Sequence, residues 1–337
     1  MKHRNIPIFI PHMGCPNQCV FCNQHSIAGC QAFDVSNVRS QIDAALATID
    51  RDTEAEIAFF GGSFTGIDRA LMIELLDIAQ GYVKSEAVSS IRLSTRPDYI
   101  NAEILSTLSR YSVKHVELGL QSMNDQVLRS CQRGHTVKDA EAACRAIVDA
   151  GFSLVGQMMI GLPNASLEDE LESVERICKL GARAARIYPT VVFYDTPLCE
   201  MTMRGEYVPL SLEEAVQRSA AVFKIFEAYG VPCIRIGLCA TEGLTDPDTV
   251  YAGPNHPALG ELVMNEYYYE KCKEILSSAH LLGQEVLLKV PSTEVSKVVG
   301  QHRKNIERLR HETDTRVIKV LGDEKMTQIH ALPWQKF

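Results

Sequence analysis

The stretch 6–24, IPIFIPHMGCPNQCVFCNQ, runs from an apolar β-type segment (6–12) straight into a loop carrying Cys15, Cys19 and Cys22. The unit it opens, a strand, then a loop, then a helix, recurs down the chain. Strand patterns at 56–62, 88–95, 113–120, 152–163, 182–193 and 231–238 alternate with amphipathic patterns at 36–49, 69–83, 102–111, 136–151, 166–181 and 211–230. Turn and cap signals separate them. Pro97 stops the third strand, Thr136 with Asp139 reads as a cap-like pair, Ser211 with Glu214 reads as a capping box, and Ser166 reads as an N-cap. Such alternation implies right-handed βαβ units on a parallel sheet, either open and doubly wound or curled into a barrel. Both solutions put chemistry at the carboxyl ends of the strands. The informative residues fall there: the cysteines after the first strand, Gly61–Gly62–Ser63 after the second, Ser94–Thr95–Arg96 after the third, Gln121 after the fourth and Gly161–Leu162–Pro163 after the fifth.

The regular alternation ends near residue 240. A turn-rich segment follows, in which YAGPNHPALGELV (251–263) reads as a loop over or beside the barrel mouth. His256 in it suits a lid, a substrate contact or a rigid packing loop. A helix, NEYYYEKCKEILSSA, comes next, and its Tyr267–Tyr268–Tyr269 run suits either base stacking or a half-buried helix face. From 284 a new unit begins: strand EVLLKVP, helix STEVSKVVG, a break at QHRK, helix NIERLRHETD and strand TRVIKVL. The expected division is a catalytic domain, 1–279, and a small α/β domain, 280–337.

Composition bounds the function. The chain has 337 residues, 46% hydrophobic and 23% charged, with a net charge of -8. A polyanion partner would therefore need a local basic patch. The 11 cysteines are an odd number on a long chain. Cys144, Cys178, Cys233 and Cys272 stand singly in apolar surroundings, as buried thiols do. Lys2 and Arg4 precede an apolar run too short for a signal segment and broken by prolines, and no stretch reaches the ~18 apolar residues of a membrane helix. The expectation is a reduced, cytoplasmic compartment with no membrane partner.

The tight cysteine trio has four readings. Three unrelated thiols do not suit a tight cluster in a Gly/Pro/Asn loop, and a disulfide does not suit the compartment. Zinc wants four closed ligands, with His25 or His12 as the fourth. An iron–sulfur cluster normally takes four thiolates, so three leave one iron open for an outside ligand.

Cys-x3-Cys-x-aromatic-Cys after the first strand of a βα series resembles the signature of the radical S-adenosylmethionine (SAM) superfamily. The resemblance implies a [4Fe–4S] cluster held by Cys15, Cys19 and Cys22, with SAM chelating the open iron. One-electron cleavage of SAM then gives a 5′-deoxyadenosyl radical that abstracts a substrate hydrogen. FFGGSFTG (59–66) matches the superfamily's glycine-rich strand end, so Gly61, Gly62 and Ser63 are implied to meet the SAM amine; a tight turn is the plainer reading of the glycine pair. LSTRPDYI, VELGLQS, QRGHTVKDA, MMIGLP and RIYPTVV are similar to the catalytic radical subunit of the elongator complex. More distantly they are similar to oxygen-independent coproporphyrinogen oxidases. Over residues 5–240 this implies that Gln121 and Arg133 lie near the aminoacyl end of SAM, against the alternative of Arg133 as a solvated surface arginine. Ser94 stands where relatives have a ribose-gripping glutamate, and Gln157 where the porphyrin enzymes have an aspartate. The elongator subunit carries a following acetyltransferase domain that these 337 residues are expected to be too few to hold, and Asn23–Gln24 stand where the porphyrin enzymes have a further cysteine. An electron donor such as flavodoxin or ferredoxin is also implied.

VPSTEVSKVVGQHRKNIERLRHETDTRVIKV resembles a KH RNA-binding module, whose Gly-x-x-Gly loop clamps a nucleic-acid backbone. The loop here reads Gly300–Gln301–His302–Arg303, followed by Lys304, with Arg308 and Arg310 nearby. A solvated basic helix face is the alternative, and Glu307 and Glu312 dilute the patch. The combined expectation is an α/β chain: a partial (β/α)6 radical SAM barrel with a KH-like tail, acting on an RNA base, in tRNA or rRNA. Oxidation of a small molecule of coproporphyrinogen type, or a non-catalytic zinc-dependent RNA-binding protein, are the alternatives.

Overall fold

The structure is a computed structural model that describes residues 2–10, 13–15, 19–23, 33–50, 52–238 and 248–334. His12, His25, Gln24 and Cys30 lie outside the described residues. The chain divides into two units, Met1–Ala215 with Ile225–Pro257, and Val216–Lys224 with Ala258–Phe337.

The first unit is built on a curled, half-barrel sheet of seven parallel strands. They are β1 (Lys2–Ile10), β2 (Thr53–Gly61), β3 (Ser90–Thr95), β4 (Val113–Gln121), β5 (Ser153–Ile160), β6 (Ala184–Pro189) and β8 (Cys233–Ile236), laid side by side in that order. Every neighbouring pair is parallel, as the strand–helix alternation requires. Side-chain alternation sets the two faces. On β1, Ile6, Ile8 and Ile10 are buried while Phe9 is 46% exposed. On β2, the buried Phe59 stacks on Phe64 with ring centroids 4.5 Å apart. Three helices start with capping boxes, Thr136–Asp139, Ser166–Asp169 and Ser211–Glu214. Each reciprocal pair satisfies two helix-end donors.

Two local differences from the expected elements have physical reasons. The strand pattern 182–193 is cut in two. Pro189 ends β6, the Thr190 amide and hydroxyl both turn back to the Ile160 carbonyl, and β7 (Val192–Phe193) pairs antiparallel with β9 (Val250–Ala252). Short helices at Asp125–Ser130 and Pro197–Met203 were not expected. At 6 and 7 residues they are too short to show a helical period.

The second unit holds a three-stranded sheet. β10 (Glu285–Pro291) is central, parallel to β11 (Val317–Asp323) and antiparallel to β12 (His330–Pro333). Between β10 and β11 come helices Val295–Val299 and Lys304–Thr313, with the chain turning at Gly300. The helix Leu259–Ser278 groups with this unit, and so do residues 216–224. The reason is its apolar side: Tyr267, Tyr268, Tyr269, Cys272 and Leu276 are all buried, and Phe223 meets Tyr267 edge to face at 4.9 Å. That burial removes the tyrosine run from any base-stacking role. Among the described residues no helix is long and apolar enough to cross a membrane.

Candidate active site

At the carboxyl ends of the strands lies a cavity of about 430 Å³. All ten residues expected to hold cluster or SAM line it: Cys15, Cys19, Cys22, Gly61, Gly62, Ser63, Ser94, Gln121, Arg133 and Gln157. Nine come from the loop after β1 and from the ends of β2 to β5, which parallel order brings to one rim, and Arg133 comes from the loop after the helix Asp125–Ser130.

The loop after β1 is fastened to the end of β2. Gly62 N–H donates to the Ile10 carbonyl at 2.7 Å, and Ser63 N–H donates to Met13 at 3.1 Å. A Cβ at Gly62 would lie 2.1 Å from the Met13 oxygen. Glycine there is thus required by the approach of two chain segments, before any ligand is considered. The Cys15 Sγ and Ser63 Oγ are 3.4 Å apart. Cys22 N–H closes a turn onto Cys19 at 3.0 Å, and Val20 is tied to the chain at Cys131 and Leu198. None of the three is in a disulfide.

Among the described residues, no three His, Cys, Asp or Glu side chains converge on a position for one metal ion. A mononuclear zinc site needs that convergence, at about 2.3 Å from each sulfur. A multi-iron cluster does not, because each thiolate takes a different iron. Cys15, Cys19 and Cys22 around one cavity are a donor set that suits an iron–sulfur cluster.

Arg133 is 7% exposed, not a solvated surface residue. Its Nη1 lies 3.3 Å from Cys19 Sγ and its Nη2 donates to the Gly119 carbonyl at 2.6 Å. Gln121 ends β4 at φ 67, and its buried Oε1 has no protein partner among the described residues. Arg96, 2% exposed, lines the same cavity. It is clamped by Asp98 at 2.9 and 3.0 Å, donates to the Arg133 carbonyl, and brings Nη1 to 3.9 Å from Cys19 Sγ. Sequence reasoning noted Arg96 only as a strand-end residue; an arginine fixed between a strand and Pro97 was the available signal.

Below the rim, Gln157 Nε2 donates to Glu117 at 2.8 Å and to Ser94 Oγ at 3.3 Å. Glu117 also accepts from Arg92 at 2.8 Å and Arg186 at 2.9 Å, and Arg92 reaches Glu56 at 2.7 Å. These four charges line up on inward positions of β2, β3, β4 and β6. The sequence signal was a charged residue inside each apolar strand, in EIAFF, IRLST, VELGLQ and ARIYP. A larger cavity, about 760 Å³, is lined by Arg92 and Arg186 together with Phe9, Phe60, Tyr188 and Phe193. It shares Ser94, Gln121 and Gln157 with the first.

Burial pushes the thiols of Cys131, Cys144, Cys233 and Cys272 up to about 12, and that of Cys178 to about 11. They remain neutral at physiological pH, as solitary core cysteines do. His135, beside Arg133 in sequence, is pushed down to about 4, first by burial and then by the Arg133 charge. His256 is exposed.

In the second unit, Gln301, Arg303 and Lys304 are exposed and Gly300 is buried. Gly300 has φ 72, and a Cβ there would lie 2.7 Å from Asn305 Cγ. Arg303, where the Gly-x-x-Gly pattern has its last glycine, takes φ 63, a left-handed conformation costly for a side-chain-bearing residue. Arg308 is held by Glu266 at 2.5 Å and Glu312 at 2.9 Å and stacks on Tyr269, so it is committed inside the unit.

Comparison with known proteins gives the same reading. The Radical SAM superfamily profile matches residues 9–177, and a Radical SAM C-terminal domain profile matches 182–269. A tRNA uridine(34) acetyltransferase of Methanocaldococcus jannaschii is 33% identical over 128 residues, 37% of this chain and 24% of that protein. Elongator complex protein 3 of Homo sapiens is 26% identical over 249 residues, 62% of this chain and 46% of that protein. The chain thus spans less than half the length of either relative. A solved archaeal Elp3 from Methanocaldococcus infernus, lacking residues 1–46, superposes with TM-score 0.60 at 21% identity. It covers 80% of this chain and 68% of that one, and shows the shared fold. A cysteine trio at the carboxyl rim of a curled parallel sheet, matched by a family profile over half of its length, makes this chain a member of the radical SAM superfamily.

Proposed function

We propose that this protein binds a [4Fe–4S] cluster through Cys15, Cys19 and Cys22 and SAM beside it, and uses them to modify a base of an RNA, in tRNA or rRNA. The observation that carries the chemistry is the single cavity lined by all three thiols together with Gly61, Gly62, Ser63, Ser94, Gln121, Arg133 and Gln157. When bound, cluster and SAM together supply one-electron cleavage of the sulfonium and a 5′-deoxyadenosyl radical for hydrogen abstraction.

The chain's own residues bind, orient and exclude water. Arg133 is placed to meet a carboxylate, the natural partner of a guanidinium. The unpartnered Oε1 of Gln121 is an acceptor for an ammonium or hydroxyl group. Both hydrogens of the Gln157 amide are spent on Glu117 and Ser94, which leaves its Oε1 as an acceptor. With Ser94 Oγ it offers a neutral grip for ribose hydroxyls where relatives use a carboxylate. Substrate has room in the adjoining 760 Å³ cavity, whose aromatic walls suit a planar ring.

Support for an RNA substrate comes from the names of the relatives and from the exposed Gly300–Lys304 turn. Its Gln301, Arg303 and Lys304 are free of the internal pairing that occupies Arg308, in the sense that all three side chains face solvent. A reduced, cytoplasmic setting with a flavodoxin- or ferredoxin-type donor suits this chemistry.

The test has two arms. Protein reconstituted anaerobically with iron and sulfide is expected to cleave SAM to 5′-deoxyadenosine, and Cys19→Ala to lose that activity. Stoichiometric zinc with no iron uptake overturns the reading. Nucleosides from cells with and without the protein, compared by mass spectrometry, are expected to differ in one modified base. In gel shifts, Arg303→Glu with Lys304→Glu is expected to weaken RNA binding, with a parent salt slope of about -0.7 per phosphate neutralised on single strands. Equal binding by both proteins removes the tail from RNA recognition.

A further inference from the structure

The two arginines of the rim share one target. Arg133 Nη1 is 3.3 Å and Arg96 Nη1 is 3.9 Å from the same sulfur, Cys19 Sγ. Cys19 is 5% exposed, Arg96 2% and Arg133 7%, so water screens this contact little. The arrangement is rigid. Asp98 grips Arg96 through Nε and Nη2, Arg96 holds the Arg133 carbonyl, and Arg133 is anchored on the Gly119 carbonyl. Cys15 Sγ, by contrast, lies 3.4 Å from the neutral Ser63 hydroxyl.

We propose that Arg96, together with Arg133, sets the reduction potential of the cluster by placing positive charge on the Cys19 sulfur, and that Asp98 tempers the effect. The inference rests on the cluster-binding reading above. Hydrogen bonds to the ligand sulfurs and local charge are recognised determinants of iron–sulfur potentials. Reduction adds one electron to the cluster and moves no proton or bond, so the reduced form carries one more negative charge. Two buried guanidiniums favour that form and make the cluster easier to reduce. Asp98 opposes them with its carboxylate. Arg96 touches a ligand sulfur and not the reacting atoms, so its role is positioning of charge.

The experiment is an EPR-monitored redox titration, without SAM, of reconstituted full-length protein, with dithionite as the electron source. Iron and sulfide per chain are measured beside it. Arg96→Leu is expected to cut the reduced-to-oxidised ratio at a fixed potential about tenfold, a shift of ~59 mV to more negative values for one electron. Arg96→Lys, which keeps the charge, should stay close to the parent. Asp98→Asn should move the ratio the opposite way, toward the reduced form. A purely structural role would move Arg96→Leu and Asp98→Asn in the same direction or neither. Either of those results, on protein with full iron content, overturns the proposal. If Arg96→Leu fails to fold, Asp98→Asn still decides it: a shift toward the reduced form with Arg96→Lys near the parent supports the proposal, and no shift or the reverse shift overturns it. A parent that takes up no iron sinks instead the cluster reading beneath it.

Discussion

Among the described residues, two clusters of two acids and two bases do different work. In the half-barrel, Glu56, Arg92, Glu117 and Arg186 are linked by bonds of 2.7 to 2.9 Å. Both carboxylates are 0% exposed and the arginines 7% and 9%. In the tail unit, Glu266, Arg308, Glu312 and Lys273 are linked at similar distances, but Arg308 is 39% and Lys273 40% exposed. Distances alone would rank them equal. Burial separates them: the inner cluster is held in low dielectric, where every member depends on the others. The outer one is a solvated latch tying helix Leu259–Ser278 to helix Lys304–Thr313. The inner cluster also fixes Gln157 through Glu117, so it positions a cavity residue; the outer one keeps Arg308 away from any ligand.

The largest expected effect follows from the inner cluster. Glu117→Ala leaves Arg92 and Arg186 facing each other without their shared counter-charge. Removing one partner of a buried pair costs about 3–5 kcal/mol, and denaturant unfolding should read that loss with little dependence on salt. A cost below about 1 kcal/mol would mean that water enters the barrel floor, and the contrast between the clusters would collapse.

Arg308→Ala probes the outer cluster. The guanidinium carbon sits 3.7 Å from the Tyr269 ring centre and also serves Glu266 and Glu312. Partly exposed pairs contribute little each, and a stacked arginine adds about 0.5–1 kcal/mol. A total near 1–2 kcal/mol is expected, shrinking in high salt. A salt-independent loss as large as that of Glu117→Ala would erase the distinction drawn from exposure.

Much of the fold was legible in the sequence because two periods carry it. Strand–helix alternation named all seven parallel strands, and turn chemistry named the caps at Thr136, Ser166 and Ser211, though not the reciprocal bond from Asp169 that makes the Ser166 cap a box. The cysteine rim was legible for the same reason: parallel order brings strand ends together without any knowledge of side-chain packing. What stayed hidden depended on contacts between distant strands. The charge network needs β2, β3, β4 and β6 side by side, and no single strand announces it. The target of Arg96 is a sulfur 77 positions away. The reason for Gly62 was legible only in part: a close approach was expected, but the nearer partner is the chain at Met13. The tyrosine run was read as a base-stacking or half-buried face; instead all three side chains are buried, on a helix that packs against Val295–Val299, Lys304–Thr313 and β12.

The smallest effect is also the one with a pH signature. The Glu312 carboxyl is held down to about 2, first by the Tyr269 hydroxyl and then by Arg308. Its ordinary value is 4.5. A carboxyl depressed in the folded state lends stability above its unfolded value and loses it as pH falls through the folded one. The contribution is therefore intact above about pH 4.5 and fades toward pH 2. For a buried group such a shift would be worth about 3 kcal/mol. Glu312 is 35% exposed, and solvent screening holds an exposed pair to about 1 kcal/mol or less. The measurement is the stability difference between the parent and Glu312→Gln across pH 5 to 2. Up to about 1 kcal/mol at pH 5, closing as the pH falls, is the expected course. A gap that stays constant over that range would show that the glutamate acts through packing and its neutral hydrogen bond to Tyr269. The outer cluster would then be a latch of shape and not of charge.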